Sequence, residues 1–254
     1  MTTGPVVLTV STGAFPGLAE ELRRLKIPVE ESPLLTFAPP LDWKPLDRAL
    51  GHLSGYDAVA FTSPRAATAF IARYREVTAH PGEEEFPALW GSGDGTAAAL
   101  SGLRAPVHRT AEVETGRLGA AAALAEAMLD AGVTGPVLFP CGEIRREELP
   151  GRLRGAGIEV DEVVCYRSVL AGETAARAAA ARAAILVVAS PSVAELLAGA
   201  SAPGARPRML AVGPTTAAAA RAAGWPPEAV AARPDVEALL AGVRSLLAGD
   251  SATR

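Results

Sequence analysis

Short apolar runs alternate with segments of helical spacing along most of this chain. Val6–Val10 reads as a buried strand, and Phe15–Leu25 carries Leu18, Leu22 and Leu25 at helical spacing. Ile27–Leu35 reads as a second strand and closes a βαβ unit. The same pattern predicts strands at Ala58–Thr62, Pro87–Gly91, Val107–Arg109, Val137–Pro140, Val160–Tyr166, Ile185–Ala189, Met209–Val212 and Ala229–Ala232. Helices are expected over Leu46–Leu53, Leu118–Leu129, Glu143–Arg154, Thr174–Ala184 and Val236–Leu247. Others start at Pro64, after the turn Ser92–Thr96, at Ser190 and at Pro214, and proline suits a first helical position, where its missing N–H costs nothing. The polar stretch His80–Phe86 reads as a loop and the terminal GDSATR as a frayed end.

Strands alternating with helices imply parallel sheets covered on both faces. The pattern also repeats. AVAFTSPRAATAF (Ala58–Phe70) echoes ILVVASPSVAELL (Ile185–Leu197), and Gly93–Ala97 echoes Gly213–Ala217. The first βαβ unit echoes the one that runs from Val137 to Tyr166. Phe37-Ala38-Pro39-Pro40 reads as a stiff crossover after the first unit. The expected fold is therefore α/β, with two similar doubly wound parallel-sheet domains joined by a two-stranded hinge. Residues 1–36 and 173–254 would form a discontinuous domain around an inserted domain of 37–172. The hinge strands would lie near 35–41 and 165–172, and a split into two consecutive halves is the alternative.

Composition narrows the function. Apolar residues make up 49% of the 254, enough for a sizeable core, and aromatics only 5%, so Leu, Val and Ala must fill it. A net charge of −4 gives no basic field to attract nucleic acid. Cys141 and Cys165 form no C-x-x-C pair, so neither a disulfide framework nor a zinc site is expected. The start MTTGPVVLTV lacks a basic segment and a long apolar run, and no stretch approaches the ~20 apolar residues of a membrane span. A cytoplasmic protein, not bound to membrane, is expected.

In open parallel sheets ligands bind beyond the carboxyl ends of the strands. Ser63-Pro64, Gly93–Thr96, Cys141-Gly142, Ser190–Ser192 and Gly213–Thr216 all fall there and open helices with unpaired N–H groups. Each turn alone is explained by capping; their recurrence in a duplicated chain favours a cleft for a ligand with many carboxylates or phosphates. Arg65, Arg145, Arg146 and Arg167 follow these turns and could supply charge-assisted bonds, or simply face solvent. Arg146 is the best placed of them, in the expected first turns of the Glu143–Arg154 helix. Tyr166 ends a strand at the crossover, where its phenol could donate a proton or pack at a seam. Asp57, Glu143 and Glu147 are possible acids or bases, but helix starts and strand entries also attract acids. His52, His80 and His108 form no cluster in sequence, so a Cys–His nucleophile is disfavoured. Neither a P-loop nor a full dinucleotide fingerprint is present.

DAVAFTSPRA (Asp57–Ala66), VLFPCGEIRREELPGRLRGAGIEVDEVVCYRSV (Val137–Val169), ILVVASPS and LAVGPTTA occur in an order that resembles the uroporphyrinogen-III synthase family. The resemblance runs over nearly the whole length. It implies two α/β domains on a two-stranded hinge, and a monomeric lyase that needs no cofactor or metal. The implied substrate is the small molecule hydroxymethylbilane, closed to uroporphyrinogen III with inversion of its last ring through a spiro intermediate and loss of water. By resemblance, Tyr166 takes the place of a hinge tyrosine often discussed as the acid, and Thr216 that of the Gly-Pro-x-Thr threonine; these are the expected catalytic residues. Ser63, Arg65, Gly93, Thr96, Gly142, Arg146, Ser190, Ser192, Gly213 and Thr215 are the expected substrate-binding set. Two departures stand out: Val10 follows Thr9, and Cys141 precedes Gly142, where the family often has arginine. They leave a diverged, non-catalytic tetrapyrrole- or polyanion-binding homologue with a regulatory role as the alternative. A two-lobed receptor for a small anion is disfavoured by the missing signal peptide.

Overall fold

The computed structural model describes residues 4–78, 86–103, 105–110 and 119–249. Numbered along the chain, the strands are β1 (Val6–Leu8), β2 (Val29–Glu31), β3 (Leu35–Ala38), β4 (Ala58–Phe61), β5 (Ala88–Gly91), β6 (Val107–Arg109), β7 (Val137–Gly142), β8 (Val160–Leu170), β9 (Ile185–Val188), β10 (Arg208–Ala211) and β11 (Ala229–Val230). The helices are α1 (Leu18–Arg24), α2 (Lys44–Leu50), α3 (Pro64–Val77), α4 (Gly93–Leu100), α5 (Ala120–Asp130), α6 (Glu148–Gly155), α7 (Glu173–Arg182), α8 (Pro191–Ala200), α9 (Pro214–Ala222) and α10 (Val236–Gly249).

The chain forms two compact units, Met1–Thr36 with Val169–Arg254, and Phe37–Ser168. The first holds a parallel sheet in the order β11-β10-β9-β1-β2. The other sheet runs β3-β8-β7-β4-β5-β6, parallel from β8 to β6. Leaving β3 aside, the two orders superimpose: β1 and β2 correspond to β7 and β8, and β9, β10 and β11 to β4, β5 and β6. This is the repeat seen in the sequence, with the short and long pieces in opposite order along the chain.

The central strands of each sheet are buried on both faces, which is why they read as continuous apolar runs. In the first unit Val7, Leu186, Val188 and Met209 pack on Val193 and Leu197 of α8 and Ala220 of α9. The alternate residues Val6, Leu8, Ile185, Val187 and Leu210 pack on Leu18 and Leu22 of α1 and Leu239 and Val243 of α10. In the second unit Val59, Phe61 and Leu89 face Leu46 of α2, Phe70 of α3 and Leu100 of α4. Ala58, Ala60, Val137 and Phe139 face Leu124 and Met128 of α5 and Leu149 and Leu153 of α6.

The structure revises several boundaries. The strand expected over Ile27–Leu35 is two strands, separated around Pro33, whose nitrogen has no proton to give a ladder. Strand β8 continues past Tyr166 to Leu170, because β3 supplies a partner: Ala171 N–H donates to Leu34 O (2.9 Å) and Thr36 Oγ1 to Val169 O (3.4 Å). The partners fall on one strand as they rise on the other, so β3 and β8 run antiparallel. Both strands carry the chain across the unit boundary. The helix expected from Glu143 starts only at Glu148. Pro150 explains this, since a proline is tolerated in a first turn but would remove a hydrogen bond from a helix interior. The helix expected to reach Leu53 ends at Leu50, and a separate 3₁₀ turn follows at Leu53–Gly55. His80, most of the loop around it and residues 250–254 lie outside the described residues. Among the described residues no helix is long and apolar enough to cross a membrane.

Candidate functional site

In a doubly wound sheet the crossover connections diverge where the strand order reverses, and ligands settle there. The reversal falls between β7 and β4 in the second unit, and a cavity of about 280 Å³ opens at that point. Thr62 and Ser63 from the end of β4, Cys141 and Gly142 from β7, Arg145 and Arg146 from the following loop and Tyr166 from β8 line it. Ser63 caps α3: its extended backbone turns the chain, its Oγ accepts from Ala66 N–H (3.4 Å), and Pro64 takes the first helical position. The β7–β8 register slips at Cys141/Gly142, which sets Gly142 opposite Tyr166. Glu143 N–H then donates to Tyr166 O (2.9 Å) and extends the ladder by one bond.

Gly142 shapes the cavity floor. A Cβ there would lie 2.7 Å from Tyr166 Cζ and 2.9 Å from its hydroxyl oxygen. Only a residue without a side chain lets the ring rest across the strand end. Phe37 holds the ring from another side, edge-on at 5.8 Å between centroids. The Tyr166 hydroxyl has no hydrogen-bond partner among the described residues and is free to donate.

The loop between β7 and α6 carries both arginines. Contrary to the sequence expectation, Arg146 is not on the helix; residues 143–147 are irregular, for the reason Pro150 gives. Arg145 is committed: its Nε donates to Glu162 Oε2, and Arg154 Nη2 meets Glu162 Oε1 at 2.7 Å. Burial pushes the Glu162 carboxyl up, but these two guanidinium groups outweigh it and hold the carboxyl below its ordinary range. Arg146 is exposed and has no acidic partner among the described residues, so it keeps its charge for a ligand. Cys141 is buried, and burial pushes its thiol up to about 12 although Arg145 pulls the other way. It is therefore no nucleophile near neutrality. Cys165 is raised by burial in the same way and packs in the sheet.

Other expected residues lie elsewhere. Arg65 does not join Ser63, Gly142 and Arg146: its guanidinium carbon sits 3.4 Å above the Phe37 ring centre and 6.0 Å from that of Tyr166. It lines a separate cavity of about 240 Å³ with Phe37, Pro39 and Trp43, and Tyr166 is a wall of both. Gly93 (φ +73°) opens α4, but neither it nor Thr96 lines these cavities, and Thr96 is buried against Gly91. Asp57 accepts from Gly135 N–H (2.6 Å), a structural bond, while Glu143 and Glu147 are exposed in the loop. His108 stacks on Trp90, and no His/Cys/Asp/Glu group among the described residues could hold a metal.

In the first unit Ser190 and Ser192 pair through their hydroxyls (2.9 Å), and Ser190 makes no capping bond, leaving the first N–H groups of α8 open. Gly213, at φ +85° and ψ 166°, turns the chain into α9. Thr215 is exposed there, whereas Thr216 is only 2% exposed and packs inward. Thr215 is thus the outward hydroxyl of that turn. One feature escaped sequence reasoning: a cavity of about 230 Å³ at the end of β1, whose polar wall includes Ser11 and Thr12 and the turn at Gly13. The repeat contained the signal, because β1 is the counterpart of β7 and its turn should be the counterpart of Cys141-Gly142.

A family model described as uroporphyrinogen-III synthase HemD matches residues 17–241. Among solved structures, a mutant uroporphyrinogen III synthase from the extremely thermophilic bacterium Thermus thermophilus aligns at TM-score 0.64 and 16% identity, over 97% of this chain and 100% of that one. Uroporphyrinogen-III synthetase from Helicobacter pylori aligns at TM-score 0.64 and 18% identity, over 96% of this chain and 100% of that one. At such identities the two structures establish a common fold.

Proposed function

This chain belongs to the uroporphyrinogen-III synthase family, and on that premise we propose that it closes hydroxymethylbilane to uroporphyrinogen III, as a lyase that releases water. The substrate is a linear tetrapyrrole with eight carboxylates. Loss of its terminal hydroxyl leaves an electrophilic methylene. The last ring attacks through its substituted carbon, and the spiro intermediate opens and recloses with that ring inverted. Free bilane closes without inversion, so the protein's main task is to hold one geometry, aided by a proton to the leaving hydroxyl.

The observation that carries this reading is the Tyr166 cavity. A phenol and an arginine that have no side-chain partner among the described residues stand together at the switch point of a family member. In the proposed reaction Tyr166 donates the proton to the departing hydroxyl, and Arg146 receives a substrate carboxylate. Ser63 and Gly142 form the floor. In the first unit, Ser190, Ser192, Gly213 and Thr215 offer hydroxyls and open helix N–H groups to other carboxylates. Gly93 opens α4, and Thr96 and Thr216 are buried in the first turns of α4 and α9. Arg65 stacks on Phe37 at the other side of the Tyr166 ring and takes no part in the step.

The test is product analysis. Fresh hydroxymethylbilane incubated with the protein and oxidised should give the type III porphyrin in excess, faster than spontaneous closure. Type I porphyrin alone, at the spontaneous rate, would overturn the proposal.

A further inference from the structure

Glu162 lies outside the cavity, yet two ion pairs of the second unit converge on it. Its side chain is 12% exposed and sits on β8, four residues before Tyr166 in the sequence and paired in register with Phe139 of β7. One carboxylate oxygen accepts from Arg145, in the loop that walls the cavity, and the other meets Arg154 on α6. That loop has few other ties. Glu143 N–H bonds to Tyr166 O at one end, and the first turn of α6 fixes the other. Between them, residues 144–147 are irregular and exposed, with Ile144 81% exposed. The Arg145–Glu162 pair is therefore the one side-chain anchor of the loop among the described residues. It also separates two adjacent cations by task, since Arg145 is neutralised in place and Arg146 is left free beside the cavity.

We propose that Glu162 is a positioning residue: by holding Arg145 it fixes the 143–147 loop so that Arg146 meets a substrate carboxylate at the Tyr166 cavity. The inference rests on the synthase reading above. Replacing Glu162 with glutamine keeps the shape and removes the charge that holds Arg145. The loop then moves, and Arg145 competes with Arg146 for the substrate. A misplacement of about 1 Å in a positioning group can lower a rate term roughly a hundredfold. The loss should appear in KM more than in kcat, because Tyr166 and its Gly142 seat are untouched.

Steady-state kinetics on hydroxymethylbilane with separated type I and III products test this. Glu162→Gln and Arg145→Gln should both raise KM about tenfold or more, with kcat reduced less. Glu162→Asp should recover part of the loss. Arg154→Met removes the pair to α6 and leaves the loop anchor, so it should keep KM near the wild-type value. Trypsin should cut after Arg145 or Arg146 faster in Glu162→Gln than in wild type at matched thermal stability. A Glu162→Gln enzyme with wild-type KM and wild-type trypsin resistance would overturn the inference. Equal losses in Glu162→Gln and Arg154→Met would do so too, by reducing Glu162 to a brace for α6. Wild-type protein that yields only type I product would instead overturn the synthase reading itself.

Discussion

At Gly142 the missing side chain is what admits the Tyr166 ring. An added methyl would sit 2.7 Å from Cζ, closer than side-chain carbons approach, and the obstacle is a ring already held edge-on by Phe37. Gly142→Ala should therefore displace the phenol from the cavity. Its kcat should fall roughly a hundredfold, with the circular dichroism spectrum unchanged. Wild-type turnover in that variant would mean the ring position does not matter. At this scale the sequence was informative about which residues gather and less so about where side chains point. Ser63 follows β4, Gly142 ends β7 with Arg146 just beyond it, and Tyr166 lies on β8, so the adjacency of these three strands brings them together. The stacking of Arg65 on Phe37 depends on a contact across nearly thirty residues, which no local pattern encodes. Thr216 and Thr215 are neighbours of equal polarity, and only the rotation of α9 decides which one turns inward.

Elements begin where their residues permit. At α9 the backbone enters through Gly213 at φ +85° and ψ 166°, a region that residues with a Cβ essentially do not adopt. Gly213→Ala should cost about 1–3 kcal/mol of stability, read as a lowered denaturation midpoint; an unchanged midpoint would show that the turn relaxes without strain. At α6 the helix starts at Glu148 rather than Glu143 because Pro150, which has no N–H, is confined to the first turn. Strand β8 was underestimated because its last residues are paired by β3, an edge partner that periodicity cannot announce. The link from β8 to α6 through Glu162 should show in acid. With its carboxyl held below the ordinary value, Glu162 contributes stability that is present above the unfolded carboxylate pKa of about 4.3. That contribution is lost as pH falls through the lower folded value. The stability difference between wild type and Glu162→Gln should therefore be steady from pH 8 to about 5 and shrink below about pH 4. Urea denaturation across that range reads it, and an equal difference at pH 3 and pH 7 would contradict it.

For the whole molecule, duplication explains both what could be read and what could not. Two copies of one doubly wound sheet, with their pieces in opposite order along the chain, make the echo between Ala58–Phe70 and Ile185–Leu197 visible in the bare sequence. Divergence then hid the corresponding turns: Ser11-Thr12-Gly13 shares no residue pattern with Cys141-Gly142-Glu143, although both follow equivalent strands and both wall a cavity. The chemistry proposed for this chain is sparse. It asks for one proton donor on a shaped floor and several anchors for carboxylates, and the buried, neutral cysteines add no nucleophile. The most direct measurement is the rate of type III product formation from fresh hydroxymethylbilane, compared between wild type and Tyr166→Phe. The account predicts type III product from the wild type and a rate lower by about 10²-fold or more without the hydroxyl. Equal rates in the two proteins would contradict it.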